Sequence, residues 1–356
     1  MLLHSIVFIL GLGILYLGAD WLVQGASEVA KRFGIRPMII GLTIVALGTS
    51  IPEFLLNFFA VMIGEDGLAI GNIIGSNISN IALILGVSAA IMPIAFDDNA
   101  LKKEYPMMLA VTGLFYLLAM DGRISRFDGV ILLIGLGMFM AYIIWDAIDH
   151  SKKRKVSRAP EPNPATEPIS SAEPASSTEP ASAIEPDGSE TESQTKFRAF
   201  VQSHRDASYF RIVLIVGGIS ALSVGARLMV DSAIGIATIL EIAPIVIGLT
   251  IVAIGTSLPE LAASLIAAVK KEGDMSVGNI LGSNMLNILF VIGFVAVIRP
   301  MEIESETIRY HFPVLIVFSL ILYPLARKKQ ALSRTDGIIL LVLFCTYLAW
   351  LIYPEL

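Results

Sequence analysis

Two glutamates lie in apolar sequence at matching positions of a phrase that occurs twice. The copies are GLTIVALGTSIPE, residues 41–53, and GLTIVAIGTSLPE, residues 248–260, and each copy ends in a glutamate. A carboxylate inside an apolar helix is costly and therefore marks a functional site. Glu53 and Glu260 together predict an ion site between two related halves of the chain.

Hydroxyl groups precede both glutamates within one helical turn. Ser50 lies three residues before Glu53 and therefore on the same helical face, and the second copy repeats this spacing. With the threonine before each serine, the phrases supply hydroxyl as well as carboxylate oxygens. The predicted hydroxyl ligands are Thr49, Ser50, Thr256 and Ser257.

A proline next to each glutamate interrupts the helix that carries it. Pro52 lacks the N–H that would bond to the carbonyl of Gly48, and a glycine at that point weakens the helix further. A break within the membrane is tolerated only where protein or a polar cavity receives the freed carbonyl oxygens. We therefore expect both helices to break near mid-membrane. The helix-breaking residues are Gly48, Pro52, Gly255 and Pro259.

A second repeated phrase follows each glutamate and carries a polar stripe. The copies are GNIIGSNISNIALILG, residues 71–86, and GNILGSNMLNILFVIG, residues 278–293. Their asparagines and serines recur every four residues, on one helical face. We expect the last asparagine of each stripe to lie level with the carboxylates and to bind the ion. The stripes are Asn72, Ser76 and Asn80, and Asn279, Ser283 and Asn287. For Asn77 and Asn284, which lie off the stripes, an interhelical role and a ligand role stay equally open.

Oxygen ligands of this kind favour hard cations such as Ca²⁺ and Na⁺. The phrases contain no thiolate or imidazole that would favour a transition metal. The four histidines are dispersed along the chain, and Cys345 is the single cysteine. We therefore expect no cofactor, and we expect the metal carboxylates to be Glu53 and Glu260.

Composition identifies a polytopic membrane protein. Of the 356 residues, 55% are hydrophobic and 16% are charged, and the mean hydropathy is +0.75. Soluble domains carry about 25% charged residues. Uncharged runs long enough to span a bilayer, about 20 residues, alternate with short charged clusters.

The duplication extends through both halves at an offset of 207 residues, which becomes 208 near the end of the repeat. Each half contains five predicted spans, and an odd number inverts the second half relative to the first. We therefore predict an all-α fold of ten transmembrane helices in two inverted five-helix repeats. The predicted spans are 3–24, 36–63, 67–91, 105–120 and 127–146, and 209–230, 243–269, 275–298, 310–326 and 335–353. The predicted domains are a first repeat, 1–148, a linker, 149–208, and a second repeat, 209–356.

Basic residues predict the orientation of the chain. With the N-terminus outside, 20 of the 25 Lys and Arg residues fall in cytoplasmic segments and four fall outside. By the positive-inside rule, both termini lie outside the cell membrane and the linker lies in the cytoplasm. The linker carries Glu-Pro pairs at a six-residue period, and this composition predicts a disordered tether.

The paired GTSxPE and GNIxGSN phrases resemble the two repeats of the sodium/calcium exchanger family, over both halves of the chain. The resemblance implies two inverted five-helix repeats with ions bound among helices 2, 3, 7 and 8. It implies that Glu53 and Glu260 are shared by Ca²⁺ and Na⁺, and that Asn80 and Asn287 flank the centre. It also implies oxygen ligands from the four hydroxyl residues above and from Ala46, Ala253, Ser76 and Ser283.

This chain departs from the family where many relatives have an aspartate, because positions 80 and 287 are both asparagine. The difference argues against the potassium-dependent branch. Proton-coupled relatives show a GNAxE phrase where this chain has GTSxPE, and the difference favours sodium as the coupling ion.

The predicted function is secondary active exchange of Na⁺ for Ca²⁺ by alternating access. The alternatives are a Ca²⁺/H⁺ antiporter, a K⁺-dependent Na⁺/Ca²⁺ antiporter and a cation channel. We expect no enzyme activity, since no nucleophile–base pair or aspartate pair is present. The expected partners are the two ions and the lipid bilayer, without nucleic acid or a protein partner.

Overall fold

The computed structural model describes residues 1–97, 99–157, 208–240, 253–327 and 330–352, and these residues form helices joined by short connections. The helices are α1 (Leu2–Phe33), α2 (Pro37–Thr49), α3 (Ile51–Ile63), α4 (Asp66–Ile91), α5 (Tyr105–Ala119), α6 (Arg126–Ser157), α7 (Ser208–Ile239), α8 (Ala253–Thr256), α9 (Leu258–Val269), α10 (Gly273–Ile298), α11 (Thr307–Arg327) and α12 (Arg334–Ile352). The strands are β1 (Ile94–Ala95), β2 (Arg123–Ile124), β3 (Met301–Glu302) and β4 (Ala331–Leu332).

Seven of the described helices are long and apolar enough to cross a bilayer, and the number becomes eight if α2 and α3, which are bent at their junction, are counted together as one span. The sequence predicted two more spans. The first, residues 105–120, corresponds to α5, which has 15 residues and continues directly from a π-helical turn, Ala100–Glu104. The second, residues 243–269, contains α8 and the 12-residue α9, while residues 241–252 lie outside the described part.

Several helices are longer than the apolar runs that predicted them. Helix α1 continues past residue 24 and ends at Phe33, where Gly34 has a left-handed conformation with φ 66°. Helix α7 likewise continues past residue 230. Helix α6 extends to Ser157, beyond the predicted domain boundary at residue 148. Residues 158–207 of the predicted linker lie outside the described residues.

Two short antiparallel ribbons connect the halves reciprocally. Strand β1 pairs with β4, and β2 pairs with β3. By the repeat offset, β3 is the counterpart of β1, and β4 is the counterpart of β2. Each half therefore gives its first strand to the second strand of the other half. A two-fold axis that relates the two halves would produce this reciprocal pairing.

Helices α1 and α7 cross in the same reciprocal way, and they approach closely through glycines. A Cβ on Gly18 would lie 2.6 Å from the backbone nitrogen of Leu222, and a Cβ on Gly225, the counterpart of Gly18, would lie 2.5 Å from that of Leu15, the counterpart of Leu222. Small residues let helices pack closely in membranes. Any larger side chain at either glycine would separate the two helices.

Helices α4 and α10 are the most buried of the candidate spans. The outer spans expose most of their apolar side chains, as expected for surfaces that face lipid tails. The polar stripes of the second phrase therefore lie at the centre of the molecule.

Candidate ion-binding site

The first of the two repeated phrases contains a bend at its serine. Helices α2 and α3 meet at Ser50 with a bend of 45°, and Ser50 has φ −85° and ψ 3°. Pro52 falls in the first turn of α3, where its missing N–H leaves no helical hydrogen bond unmade. The backbone N–H of Phe54 donates to the carbonyl of Ser50 at 3.0 Å, so α3 restarts at once.

The second copy breaks at the equivalent residue. Ser257 has φ −89° and ψ 4°, and it separates α8 from α9. Pro259 again occupies the first turn of the second helix. Gly48 and Gly255, the other two predicted breakers, both lie against α7, where a Cβ would meet Ile219 and Val230 respectively. These glycines therefore serve close packing as well as the break.

The two glutamates lie together in the interior. Each is 1% exposed, and the two carboxyl groups lie close enough to interact directly. Ser50 Oγ donates to Glu260 Oε1 at 3.2 Å, a hydrogen bond that joins the two repeats. The Oε2 atoms of Glu53 and Glu260 are buried without a hydrogen-bond partner. Among the described residues, neither carboxylate forms an ion pair, so the pair lacks a counter-charge.

Each threonine is held by an asparagine of the other repeat. Thr49 Oγ1 donates to Asn279 Oδ1 at 3.3 Å, and Thr256 Oγ1 donates to Asn72 Oδ1 at 3.4 Å. These first asparagines of the polar stripes thus orient the predicted hydroxyl ligands. Thr49 Oγ1 also lies 3.3 Å from the carbonyl oxygen of Ala46.

The remaining predicted hydroxyl ligands are buried and have free oxygens. The Oγ atoms of Ser76, Ser257 and Ser283 have no hydrogen-bond partner within the described parts of the chain. Of the predicted backbone ligands, Ala46 lies in α2 and Ala253 lies in α8. The Ala46 carbonyl accepts the N–H of Ser50 at 3.0 Å, and Thr49 Oγ1 lies within hydrogen-bond distance of it.

Asn80 and Asn287 each begin a π-helical turn, Asn80–Ile84 in α4 and Asn287–Ile292 in α10. Such single turns change the direction of side chains and are frequent at functional sites. Both amide oxygens are buried without a partner. Their amide nitrogens donate across the repeats, from Asn80 to Asn284 Oδ1 at 2.9 Å and from Asn287 to Asn77 Oδ1 at 3.1 Å. Asn77 and Asn284 therefore form interhelical hydrogen bonds between α4 and α10.

Two further polar residues lie one turn after the glutamates. Asn57 Nδ2 donates to the carbonyl oxygen of Glu53 at 2.6 Å, and Ser264 Oγ accepts from Asn279 Nδ2 at 2.9 Å. Sequence reasoning overlooked them. The signal was present, since both lie four residues after a glutamate at matching places of the repeat.

The resulting group contains two carboxylates and otherwise neutral oxygens. Within the described residues, no group of three or more His, Cys, Asp or Glu side chains forms a metal cluster. Neutral hydroxyl, amide and carbonyl oxygens around two carboxylates suit hard cations rather than transition metals.

Comparison with known proteins gives consistent results along the whole chain. The family profile described as sodium/calcium exchanger protein matches residues 3–145 and 210–353. The chain is 35% identical to the putative antiporter CaxA of Alkalimonas amylolytica, over 98% of both chains. It is 30% identical to the sodium/calcium exchanger MaX1 of Methanosarcina acetivorans, over 98% of this chain and 99% of that protein.

A solved structure of the sodium-calcium exchanger NCX_Mj, soaked with zero Na⁺ and Ca²⁺, has the same fold. It superimposes with a TM-score of 0.73 at 33% sequence identity, over 98% of this chain and 99% of that chain. Apolar spanning helices around a buried pair of carboxylates define a membrane transport protein for cations. The chain belongs to the sodium/calcium exchanger family.

Proposed function

We propose that this protein exchanges Na⁺ for Ca²⁺ across the membrane by alternating access. One observation carries the proposal: Glu53 and Glu260 are buried close to each other, from opposite repeats, and the described residues place no counter-charge beside them. Two unpaired buried carboxylates are expensive, and a bound cation removes that cost. Because both repeats contribute to one centre, a relative movement of the repeats opens it to either side.

Ca²⁺ and Na⁺ compete for overlapping oxygens in this proposal. The carboxylates bind both ions, and the neutral oxygens complete the coordination. Side-chain hydroxyls or amide oxygens come from Thr49, Ser50, Ser76, Asn80, Thr256, Ser257, Ser283 and Asn287, and backbone carbonyls from Ala46 and Ala253.

The cost of leaving the two buried carboxylates without a cation explains why export of one ion requires import of the other. An empty carrier would cross the membrane with two unpaired carboxylates in a low-dielectric interior. Return with another cation bound avoids this state. The Na⁺ gradient therefore drives Ca²⁺ movement without a separate energy source or a cofactor.

We infer ten spans with both termini outside and the linker in the cytoplasm. The eight long spans, α5, and the segment ending in α9 provide five per half. The basic residues favour this orientation. Two relatives are named membrane proteins, one of them the inner membrane protein YrbG of Escherichia coli, which is 34% identical.

The nearest alternative is a related antiporter coupled to K⁺ or H⁺. A K⁺-dependent relative, the human sodium/potassium/calcium exchanger 5, is 23% identical over 82% of this chain. The putative antiporter CaxA and the sodium/calcium exchanger MaX1 are more similar, and each match covers 98% of this chain. Asparagine at both flanking positions also favours exchange without K⁺.

The test is uptake of radiolabelled Ca²⁺ into Na⁺-loaded proteoliposomes that are diluted into Na⁺-free medium. We expect uptake that requires internal Na⁺ and does not respond to K⁺. Glu53→Gln keeps the size of the side chain and removes one charge, and it should abolish uptake. Glu306→Gln, at an exposed position directly before α11, is the matched control and should transport normally.

Other results would contradict the proposal. Uptake driven equally well by a proton gradient would indicate Ca²⁺/H⁺ antiport. Flux that needs no counter-ion would indicate a channel.

A further inference from the structure

Four asparagines connect α4 and α10 in the buried interior, and Met108 of α5 contacts one of them. We propose that Asn77, Asn284 and Met108 are positioning residues that fix the side-chain amides of Asn80 and Asn287 with their oxygens toward the ion. This inference rests on the proposed function, and it identifies what determines the direction of two neutral ligands.

Asn77 has its orientation fixed by a group that can only accept. Its Nδ2 donates to the backbone carbonyl oxygen of Asn284 at 3.3 Å. A carbonyl cannot donate, so the amide cannot be reversed without losing this bond. Asn77 Oδ1 must then face Asn287, and it accepts from Asn287 Nδ2 at 3.1 Å.

Asn284 is fixed in the same way by a different acceptor. Its Nδ2 lies 3.6 Å from the thioether sulfur of Met108, and a thioether is also an acceptor only. Asn284 Oδ1 therefore faces Asn80, and it accepts from Asn80 Nδ2 at 2.9 Å.

Both chains of bonds leave an oxygen free at their end. With their nitrogens occupied by Asn284 and Asn77, Asn80 and Asn287 present buried Oδ1 atoms without a partner. An amide turned the other way would present an NH₂ group, which repels a cation and cannot ligate it. Asn77 and Asn284 thus determine that the ion meets the negative, oxygen end of the amides of Asn80 and Asn287.

The two halves differ at the outer end of this network. The counterpart of Met108 in the second repeat is Leu315, which has no acceptor. A sulfur is a weak acceptor compared with a carbonyl oxygen. The orientation of Asn80 is therefore the more sensitive one, and it depends on the atom type at position 108.

The experiment compares two substitutions of Met108 in full-length protein, reconstituted for Na⁺-driven Ca²⁺ uptake. Met108→Leu preserves the apolar volume and removes the acceptor, whereas Met108→Gln has a similar length and supplies a carbonyl acceptor. We expect Met108→Leu to raise the Ca²⁺ concentration for half-maximal uptake about threefold to tenfold, as the loss of one hydrogen bond predicts. For Met108→Gln, the Ca²⁺ concentration for half-maximal uptake should stay closer to that of the unmodified protein. In both variants, the maximal rate of uptake should change less than this concentration does.

A packing role predicts the reverse order. Met108 is fully buried, so a purely structural position would tolerate leucine and suffer from a polar glutamine. That order, or equal half-saturation in all three proteins, would overturn the inference. Leu315→Met, the counterpart change in the second repeat, is the control and should leave half-saturation unchanged.

A second variant keeps the inference testable if substitutions at position 108 fail to fold, as judged by thermal unfolding. Asn77→Ala removes the acceptor of Asn287 Nδ2 and should raise the Ca²⁺ concentration for half-maximal uptake about tenfold. An unchanged value would contradict the proposed positioning role of Asn77. If the unmodified protein shows no Na⁺-dependent uptake, the proposed function itself fails. Intact exchange with unchanged half-saturation overturns only the positioning role.

Discussion

At the scale of residues, the two equivalent asparagines that hold the threonines differ in their burial and in their hydrogen bonds. Asn279 is buried and bonds to Thr49 Oγ1, to Ser264 Oγ at 2.9 Å and, at 3.5 Å, to the carbonyl oxygen of Glu260. Asn72, its counterpart, is half-buried and bonds to Thr256 at 3.4 Å. The site is thus held more firmly on the side of α10 than on the side of α4.

This difference predicts unequal effects of equivalent substitutions. Asn279→Ala leaves several buried polar groups without partners and should lower the free energy of unfolding by about 2–4 kcal/mol, since each such group costs about 1–3 kcal/mol. Asn72→Ala should cost about 1 kcal/mol. Thermal unfolding of the two variants in detergent checks this order, and equal losses would contradict it.

At the scale of elements, a buried cluster of charges fixes the start of the first broken helix. Arg36, directly before α2, bonds to Glu104 at 2.8 Å, Asp146 at 2.7 Å and Asp97 at 3.3 Å. Burial alone would lower the pKa of Arg36, but the ion pairs with Glu104 and Asp146 outweigh it and raise the pKa. The counterparts of Arg36 and Glu104 are Ala243 and His311, so the second half cannot form this cluster.

Removal of the arginine leaves a fully buried Glu104 without its partner. We expect Arg36→Gln to destabilise the protein by about 3–5 kcal/mol, because an uncompensated buried charge is costly. Glu104→Gln in the same chain should restore part of the loss. Thermal unfolding measures both effects.

Lys103→Gln is the matched control for this prediction. Lys103 is half-exposed and lies 3.7 Å from Asp146, and a pair of that kind contributes less than about 1 kcal/mol. A loss as large as that of Arg36→Gln would show that general charge balance, rather than the buried arginine, stabilises the cluster.

The crossing of α1 and α7 makes a second prediction at this scale. Gly18→Ala places a Cβ 2.6 Å from the backbone nitrogen of Leu222, which cannot yield as a side chain would. We expect a loss of about 1–3 kcal/mol from overpacking and slower Ca²⁺ uptake. Gly13→Ala, in the same helix with no atom within 4 Å of the added Cβ, should be neutral in both measurements.

The sequence predicted the helix breaks and the paired carboxylates because these follow from local chemistry. Pro52 cannot continue the preceding helix through its interior, so a new helix must start just before it, and a repeated glutamate in apolar sequence needs a polar centre. The π-helical turns at Asn80 and Asn287 could not be predicted, because nothing in NIALI or NILFVI distinguishes them from an α-helix. The pairing of Asn77 with Asn287 depends on the crossing of α4 and α10, which a one-dimensional repeat does not specify.

At the scale of the whole molecule, the balance of charge at the centre determines which step senses the membrane potential. Glu53 and Glu260 contribute two negative charges, while Asn80 and Asn287 contribute none. One Ca²⁺ neutralises the pair, whereas three Na⁺ leave one positive charge. We therefore expect that the Ca²⁺-loaded carrier crosses as a neutral particle and the Na⁺-loaded carrier crosses as a cation.

This assignment separates two fluxes that can be measured in the same vesicles. Exchange of internal Na⁺ for external Ca²⁺ moves positive charge outward, so an inside-positive potential set with valinomycin and K⁺ should accelerate it, since 100 mV contributes about 2.3 kcal/mol for each charge that crosses. Ca²⁺ self-exchange should not respond to the same potential. In Asn287→Asp the Ca²⁺-loaded carrier gains a negative charge, so its self-exchange should become sensitive to the potential. A voltage-independent Na⁺-driven flux would instead indicate two Na⁺ per Ca²⁺, and voltage-sensitive self-exchange in the unmodified protein would show that the centre does not carry the two charges assigned to it.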